Sequence, residues 1–110
     1  MSTPMTSDAL RNATAGILAE LPTWNIYRVL GFYAKSVELA GFESDNARAA
    51  VRQIEAMIDP TIKTSGPYAD GDLHQLLGFF ATERAQDPDN VAGTANAVAH
   101  EIGLRTGSAY

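Results

Sequence analysis

Between its helix-stopping residues, this chain places apolar side chains three and four positions apart. No stretch alternates apolar with polar residues as a half-buried strand would. Pro22, Gly41, Pro60 and Pro88 divide the 110 residues into segments of helix length. This pattern predicts an all-α fold, a compact bundle of about five helices in one domain spanning residues 1–110.

The local signals set the boundaries. A first helix is expected from about Ser7 to Leu21, with Thr6 or Ser7 as cap, Asp8 at its positive end and Pro22 as stop. Its apolar stripe is Leu10, Ile17, Leu18 and Leu21. A second helix is expected from Thr23 to Ala40, closed by a left-handed Gly41 with Phe42 as the apolar contact behind it. The third starts at Ser44 and turns Ala47, Ala50, Val51, Ile54 and Ile58 inward until Asp59-Pro60 ends it. After a loop from Asp59 to Asp70, a fourth helix from about Gly71 to Ala85 buries Leu73, Leu76, Leu77 and Phe80. Asp87-Pro88 opens a fifth, carrying Val91, Ala95, Val98, Ala99 and Ile102 to a glycine cap at Gly103-Leu104. Residues 1–6 and 105–110 are expected to be loosely ordered.

One short string recurs. Leu30-Gly31-Phe32-Tyr33-Ala34 returns 47 positions later as Leu77-Gly78-Phe79-Phe80-Ala81, and the same offset takes Ile26 to Leu73 and Val29 to Leu76. Each copy opens a helix pair, so the chain reads as a leader helix followed by two helical hairpins, related by duplication or alike by chance. Glycine inside a helix costs up to about 1 kcal/mol relative to alanine. Gly31 and Gly78 are therefore expected to sit where neighbouring helices approach closely.

Charge and composition exclude several functions. Eight Lys and Arg against 13 Asp and Glu leave a net charge of −5, and the cations are scattered along the chain. Nucleic-acid affinity comes mainly from many phosphate contacts, so nucleic acid is an unfavoured partner. Cysteine is absent, which removes disulfides, thiolate metal sites and cysteine nucleophiles. No apolar run approaches the roughly 20 residues that span a bilayer, and Met1-Ser2-Thr3-Pro4-Met5 lacks the pattern of a signal peptide. A cytoplasmic protein without membrane contact is expected.

Candidate chemistry is sparse. The ending Val98-Ala99-His100-Glu101-Ile102-Gly103-Leu104 looks like the first helix and turn of a DNA-reading helix-turn-helix, but too few residues follow to form a reading helix. Arg48 and Arg52 share a helix face at i,i+4, yet acidic residues surround them and two cations confer little affinity for DNA. His100-Glu101 lacks the second histidine of a zinc-binding helix. Asp70-Gly71-Asp72 falls far short of a calcium loop, and His74 with His100 makes a metal site only if the fold joins them. No Gly-x-Ser-x-Gly elbow or ordered phosphate loop occurs. No catalytic residue, cofactor or metal is assigned, and the chain is read as not an enzyme.

Two features exceed what a bland bundle needs. At 100° per residue, Ile26, Val29, Leu30, Tyr33 and Val37 make the inward stripe of the second helix. Trp24, Phe32 and Leu39 fall on another side, beside Arg28 and Lys35. Such a helix is either central to the bundle or presented to a partner, and aromatic residues beside arginine are common interface anchors. The loop is long for a helix connection, and there either Ile62 and Tyr68 fold back onto the core or Lys63 and Tyr68 project as a contact site. The leading expectation is a non-catalytic acidic interaction protein of the inhibitor or adaptor type. It would use Trp24, Arg28, Phe32, Lys35, Leu39, Lys63 and Tyr68 to bind a protein with a basic surface, or a second copy of itself. The alternative is a bundle holding a small ligand, or serving as an enzyme subunit, with His74 and Tyr33 lining a cavity. DNA binding through the second and third helices ranks last.

Overall fold

Asn25 starts the central helix of this protein. Its side chain accepts a hydrogen bond from the Arg28 N–H at 2.9 Å, satisfying one of the amides a helix start leaves open. This geometry comes from a computed structural model that describes residues 16–86 and 93–107. Those residues form five helices and no strand. The first, α1, is described over 16–20 and tightens into a 3₁₀ turn at Leu21–Thr23. Then follow α2 (Ile26–Ala40), α3 (Asp45–Met57), α4 (Leu73–Gln86) and α5 (Thr94–Arg105). The expected cap at Thr6 or Ser7, and Leu10, lie outside the described residues.

α2 begins three residues later than the sequence suggests. Thr23 lies in the 3₁₀ turn with its hydroxyl donated to the Glu20 carbonyl at 2.6 Å, and Trp24 is extended. Pro22 ends one helix, and Asn25 rather than Thr23 has the free carboxamide that caps the next. The cap of α3 falls where expected: Ser44 Oγ accepts from the Ala47 N–H at 3.2 Å, with Asp45 in the positive first turn. Asp72 does the same for α4, accepting from the His74 N–H at 3.0 Å. Gly41, at φ 87°, closes α2 and returns its N–H to the Val37 carbonyl at 2.8 Å.

α2 is central and packs against α3, α4 and α5, while α3 also touches the 3₁₀ turn. The pairs α2/α3 and α4/α5 are the two hairpins the repeat suggests. Three of the recurring pairs occupy matching depths. Leu30 and Leu77 are each 1% exposed, Tyr33 and Phe80 are 4% and 5%, and Ala34 and Ala81 are 5% and 3%. The core is completed by Leu21, Ile26, Val29, Ala47, Ala50, Ile54 and Leu76, with Ala95, Val98, Ala99 and Ile102 from α5. Val51, Ile58 and Leu73 pack on its margin, and Ile17 stays exposed.

The glycines behave differently from expectation. A Cβ built at Gly31 or Gly78 would meet nothing within 4 Å, so neither relieves a helix crossing. The close approach is at Gly103, where a Cβ would lie 2.5 Å from the Tyr27 hydroxyl oxygen. Gly103 is accordingly inside α5 and not its left-handed cap; the helix runs on to Arg105. The positive-φ glycine at this end of α5 is Gly107, at 76°. At the other end of α5, Gly93 has φ 81°, which stops the helix from continuing back toward Asp87-Pro88. Those two residues and Val91 lie outside the described residues.

Residues 105–107 are not a loose tail. Arg105 Nε donates to Glu101 Oε2 at 2.7 Å, and its Nη2 reaches the carbonyls of Tyr68 and Ala69 at 3.1 and 3.0 Å. Thr64 donates its hydroxyl to the same Glu101 oxygen at 2.6 Å. Glu101 is 3% exposed, and this cluster fastens the long loop onto α5.

Candidate functional site

The sequence points to the outer side of α2 first. The structure brings three of its residues together: Arg28 lies over the Trp24 ring, 3.9 Å from its centroid, and Trp24 meets Phe32 edge-on at 5.8 Å. Trp24 and Phe32 are half-buried and lean on the core, so much of this face is already covered within the chain. Further along, Lys35 pairs with Glu38 at 3.7 Å in solvent, and Leu39 is 73% exposed. The loop residues go elsewhere. Tyr68 folds back half-buried, its ring tilted against Phe79 at 6.2 Å. Lys63 is exposed at the edge of a recess of about 380 Å³ that Arg105 also lines.

A second location is better built. Where α2, α3 and α4 meet lies a groove of about 400 Å³. Tyr33 comes from α2, and Phe42 and Glu43 from the turn that follows it. α3 contributes Arg48, Val51 and Arg52, and α4 contributes His74 and Gly78. Helical spacing produces the convergence. Arg48 and Arg52 are one turn apart on α3, and His74 and Gly78 are one turn apart on α4, so each pair shares a face. Because Gly78 has no side chain, the α4 wall there is open.

The polar groups of the groove are unequally satisfied. Arg48 is ion-paired with Glu43 in solvent, and that pairing raises its pKa. His74 Nε2 lies 3.3 Å from Glu55 Oε2. Arg52 makes no ion pair or hydrogen bond among the described residues. Tyr33 is the most informative of the set. It is 4% exposed, and its hydroxyl has no hydrogen-bond partner among the described residues. Yet no side-chain oxygen or nitrogen there is both fully buried and unpaired. The hydroxyl is therefore within reach of solvent, and Tyr33 lines the groove. Burial pushes the phenol above its ordinary pKa.

Family models, curated proteins and solved structures offer no match to this chain.

Geometry alone therefore identifies what the site can do. The groove offers the Tyr33 hydroxyl, a guanidinium without a partner among the described residues, an imidazole and two apolar walls, Phe42 and Val51. Phe42 is 50% exposed and also borders a neighbouring apolar recess with Val37, Ala81 and Ala85. Among the described residues no three His, Asp or Glu side chains gather as metal ligands, and His74 is paired with Glu55, not His100. No described helix is long and apolar enough to cross a membrane.

The sequence signals for this groove were present but pointed elsewhere. In the sequence Arg48 and Arg52 read as inadequate phosphate contacts, Phe42 as a helix-cap contact and Gly78 as a packing glycine. Only Tyr33 and His74 read as cavity residues, and nothing local to α2, α3 or α4 brings all of these residues together.

Proposed function

We propose that this chain is a helical binding protein that holds a small molecule in the groove between α2, α3 and α4 and leaves it chemically unchanged. The observation that carries this reading is the convergence of Tyr33, Arg52 and His74 with the apolar side chains of Phe42 and Val51 on one groove of about 400 Å³ between three helices. Ligand pockets of that size, with a few convergent polar groups on apolar walls, hold small organic molecules.

Gly78 supplies the test. Gly78 lines the groove and a Cβ there meets nothing within 4 Å, so Gly78→Leu should narrow the groove while the fold is kept. Neutral 2-naphthol, titrated by fluorescence, should bind the unaltered protein and fail to bind Gly78→Leu, with the melting temperature of the variant maintained. Equal binding by both proteins, or by neither, removes the reading.

A second reading rests on a different observation, the 73% exposure of Leu39 in line with Arg28, Phe32 and Lys35. In it, this side of α2 contacts another protein. The simplest such partner is a second copy of the chain; another is a protein whose basic surface is drawn by the net charge of −5. Light scattering decides the second-copy version. A concentration-dependent dimer that Leu39→Asp abolishes supports it, and a monomer at every concentration removes it.

A further inference from the structure

The groove also carries information about its occupant. We infer that its ligand is an organic anion, an apolar or aromatic body bearing a carboxylate or phosphate head, with the head bound by Arg52 and the Tyr33 hydroxyl. This inference rests on the groove being a binding site and adds the ligand's chemical class.

Charge is the first argument. The chain as a whole is acidic at −5, yet two of its eight Lys and Arg residues and one of its two histidines line this single groove. Glu43 is the one carboxylate among the lining residues, and it is occupied by Arg48. His74 is held by Glu55. Arg52 is left over. A guanidinium presents a planar fork of N–H donors that matches the two oxygens of a carboxylate or phosphate, and such charge-assisted bonds are the strong ones.

Donor polarity is the second argument. Among the groups lining the groove, Arg52 can only donate, and the Tyr33 hydroxyl can donate as well as accept. A cationic ligand would leave Arg52 without an acceptor. An anion satisfies both together.

The walls define the rest of the ligand. Phe42 presents a half-exposed ring, Val51 an aliphatic side, and Gly78 leaves bare helix backbone where a flat body can lie. An inorganic anion would use the head site and leave these apolar surfaces wet. An aromatic or aliphatic body covers them, and burial of that area adds to the affinity.

Three probes sharing one ring system separate the outcomes: 2-naphthoate, 2-naphthyl phosphate and neutral naphthalene-2-carboxamide. Each is titrated into the full chain and followed by NMR of backbone amides in α2, α3 and α4. One or both anions should bind about tenfold or more tighter than the amide, the gain expected of a charge-assisted hydrogen bond. The tighter anion identifies the head group. Arg52→Gln should bring the anions down to the affinity of the amide and leave the amide unchanged. Tyr33→Phe, which removes only the oxygen, should weaken the anions severalfold while the amide spectrum stays folded. If the amide binds as tightly as both anions and Arg52→Gln changes nothing, the anion assignment is overturned while the groove remains a binding site. If none of the three perturbs the groove amides at millimolar concentration, the groove reading itself fails.

Discussion

Tyr27 and Gly103 meet so closely that α5 has no room for a side chain at their contact. A Cβ on Gly103 would stand 2.5 Å from the Tyr27 hydroxyl oxygen and 3.0 Å from Cζ. The residues are 76 positions apart, and their contact joins the central helix to the last one. Gly103→Ala should therefore destabilise the protein by about 1–2 kcal/mol, because overpacking outweighs the helix-propensity gain. Adding Tyr27→Phe should recover part of that loss by removing the nearest atom. Gly31→Ala and Gly78→Ala, which meet nothing within 4 Å, should instead stabilise by about 0.5–1 kcal/mol. Urea denaturation of the four proteins measures all of this, and equal effects at the three glycines would contradict the packing described.

The Glu101–Arg105 pair is the fastening of the loop. Its side chains are 3% and 15% exposed, so removing one partner strands a buried charge. Glu101→Ala should cost roughly 3 kcal/mol, and Thr64→Val, which removes one neutral donor, about 1 kcal/mol. The Glu101→Ala variant should also expose the Tyr68–Ala69 segment to limited proteolysis, since the Arg105 guanidinium that holds both carbonyls loses its anchor. A loop as protected as in the unaltered protein would show that other contacts hold it.

The helix caps are separable from the core. Asn25→Ala and Ser44→Ala should each lower stability by about 1 kcal/mol, because each removes a side-chain acceptor for an otherwise open N–H. Thr23→Ala should have a smaller effect. Its hydroxyl bonds the Glu20 carbonyl rather than capping α2, so a loss there equal to that at Asn25 would move the start of α2 back to the residue the sequence suggests.

Asp59 provides a pH signature. The Thr61 hydroxyl donates to its carboxylate at 2.6 Å and the Thr61 N–H at 2.9 Å, and both bonds lower its pKa. A carboxyl whose folded pKa is depressed stabilises the fold above its ordinary range. That contribution fades as pH falls through the lowered folded value. Thr61→Val removes the hydroxyl bond and should move the Asp59 titration, followed by carbon NMR, back toward an ordinary aspartate. An unmoved titration would mean the hydroxyl bond does not govern it.

Much of the architecture was legible because its causes are local. Ser44 caps α3 and Asp45 follows it because a hydroxyl reaches the amide three residues on, a relation contained in four consecutive letters. The inward rows of α2 and α4, Leu30 and Tyr33 in one and Leu77 and Phe80 in the other, follow from the 3.6-residue repeat. The same local reasoning erred at Gly103, where a glycine near a chain end resembles a cap but answers to Tyr27. It erred again at Gly31 and Gly78, whose matched positions implied crowding although both face open space.

Sequence alone therefore determined that the chain is helical, roughly where most helices begin and end, and which faces turn inward, because capping and amphipathic periodicity act over about four residues. Only the tertiary structure decided which glycine is indispensable and which side of α2 is covered. It also decided that Tyr33 and Arg52 line the same groove. Those outcomes depend on what a distant segment places against a residue, or fails to place there, and no local pattern encodes a missing partner.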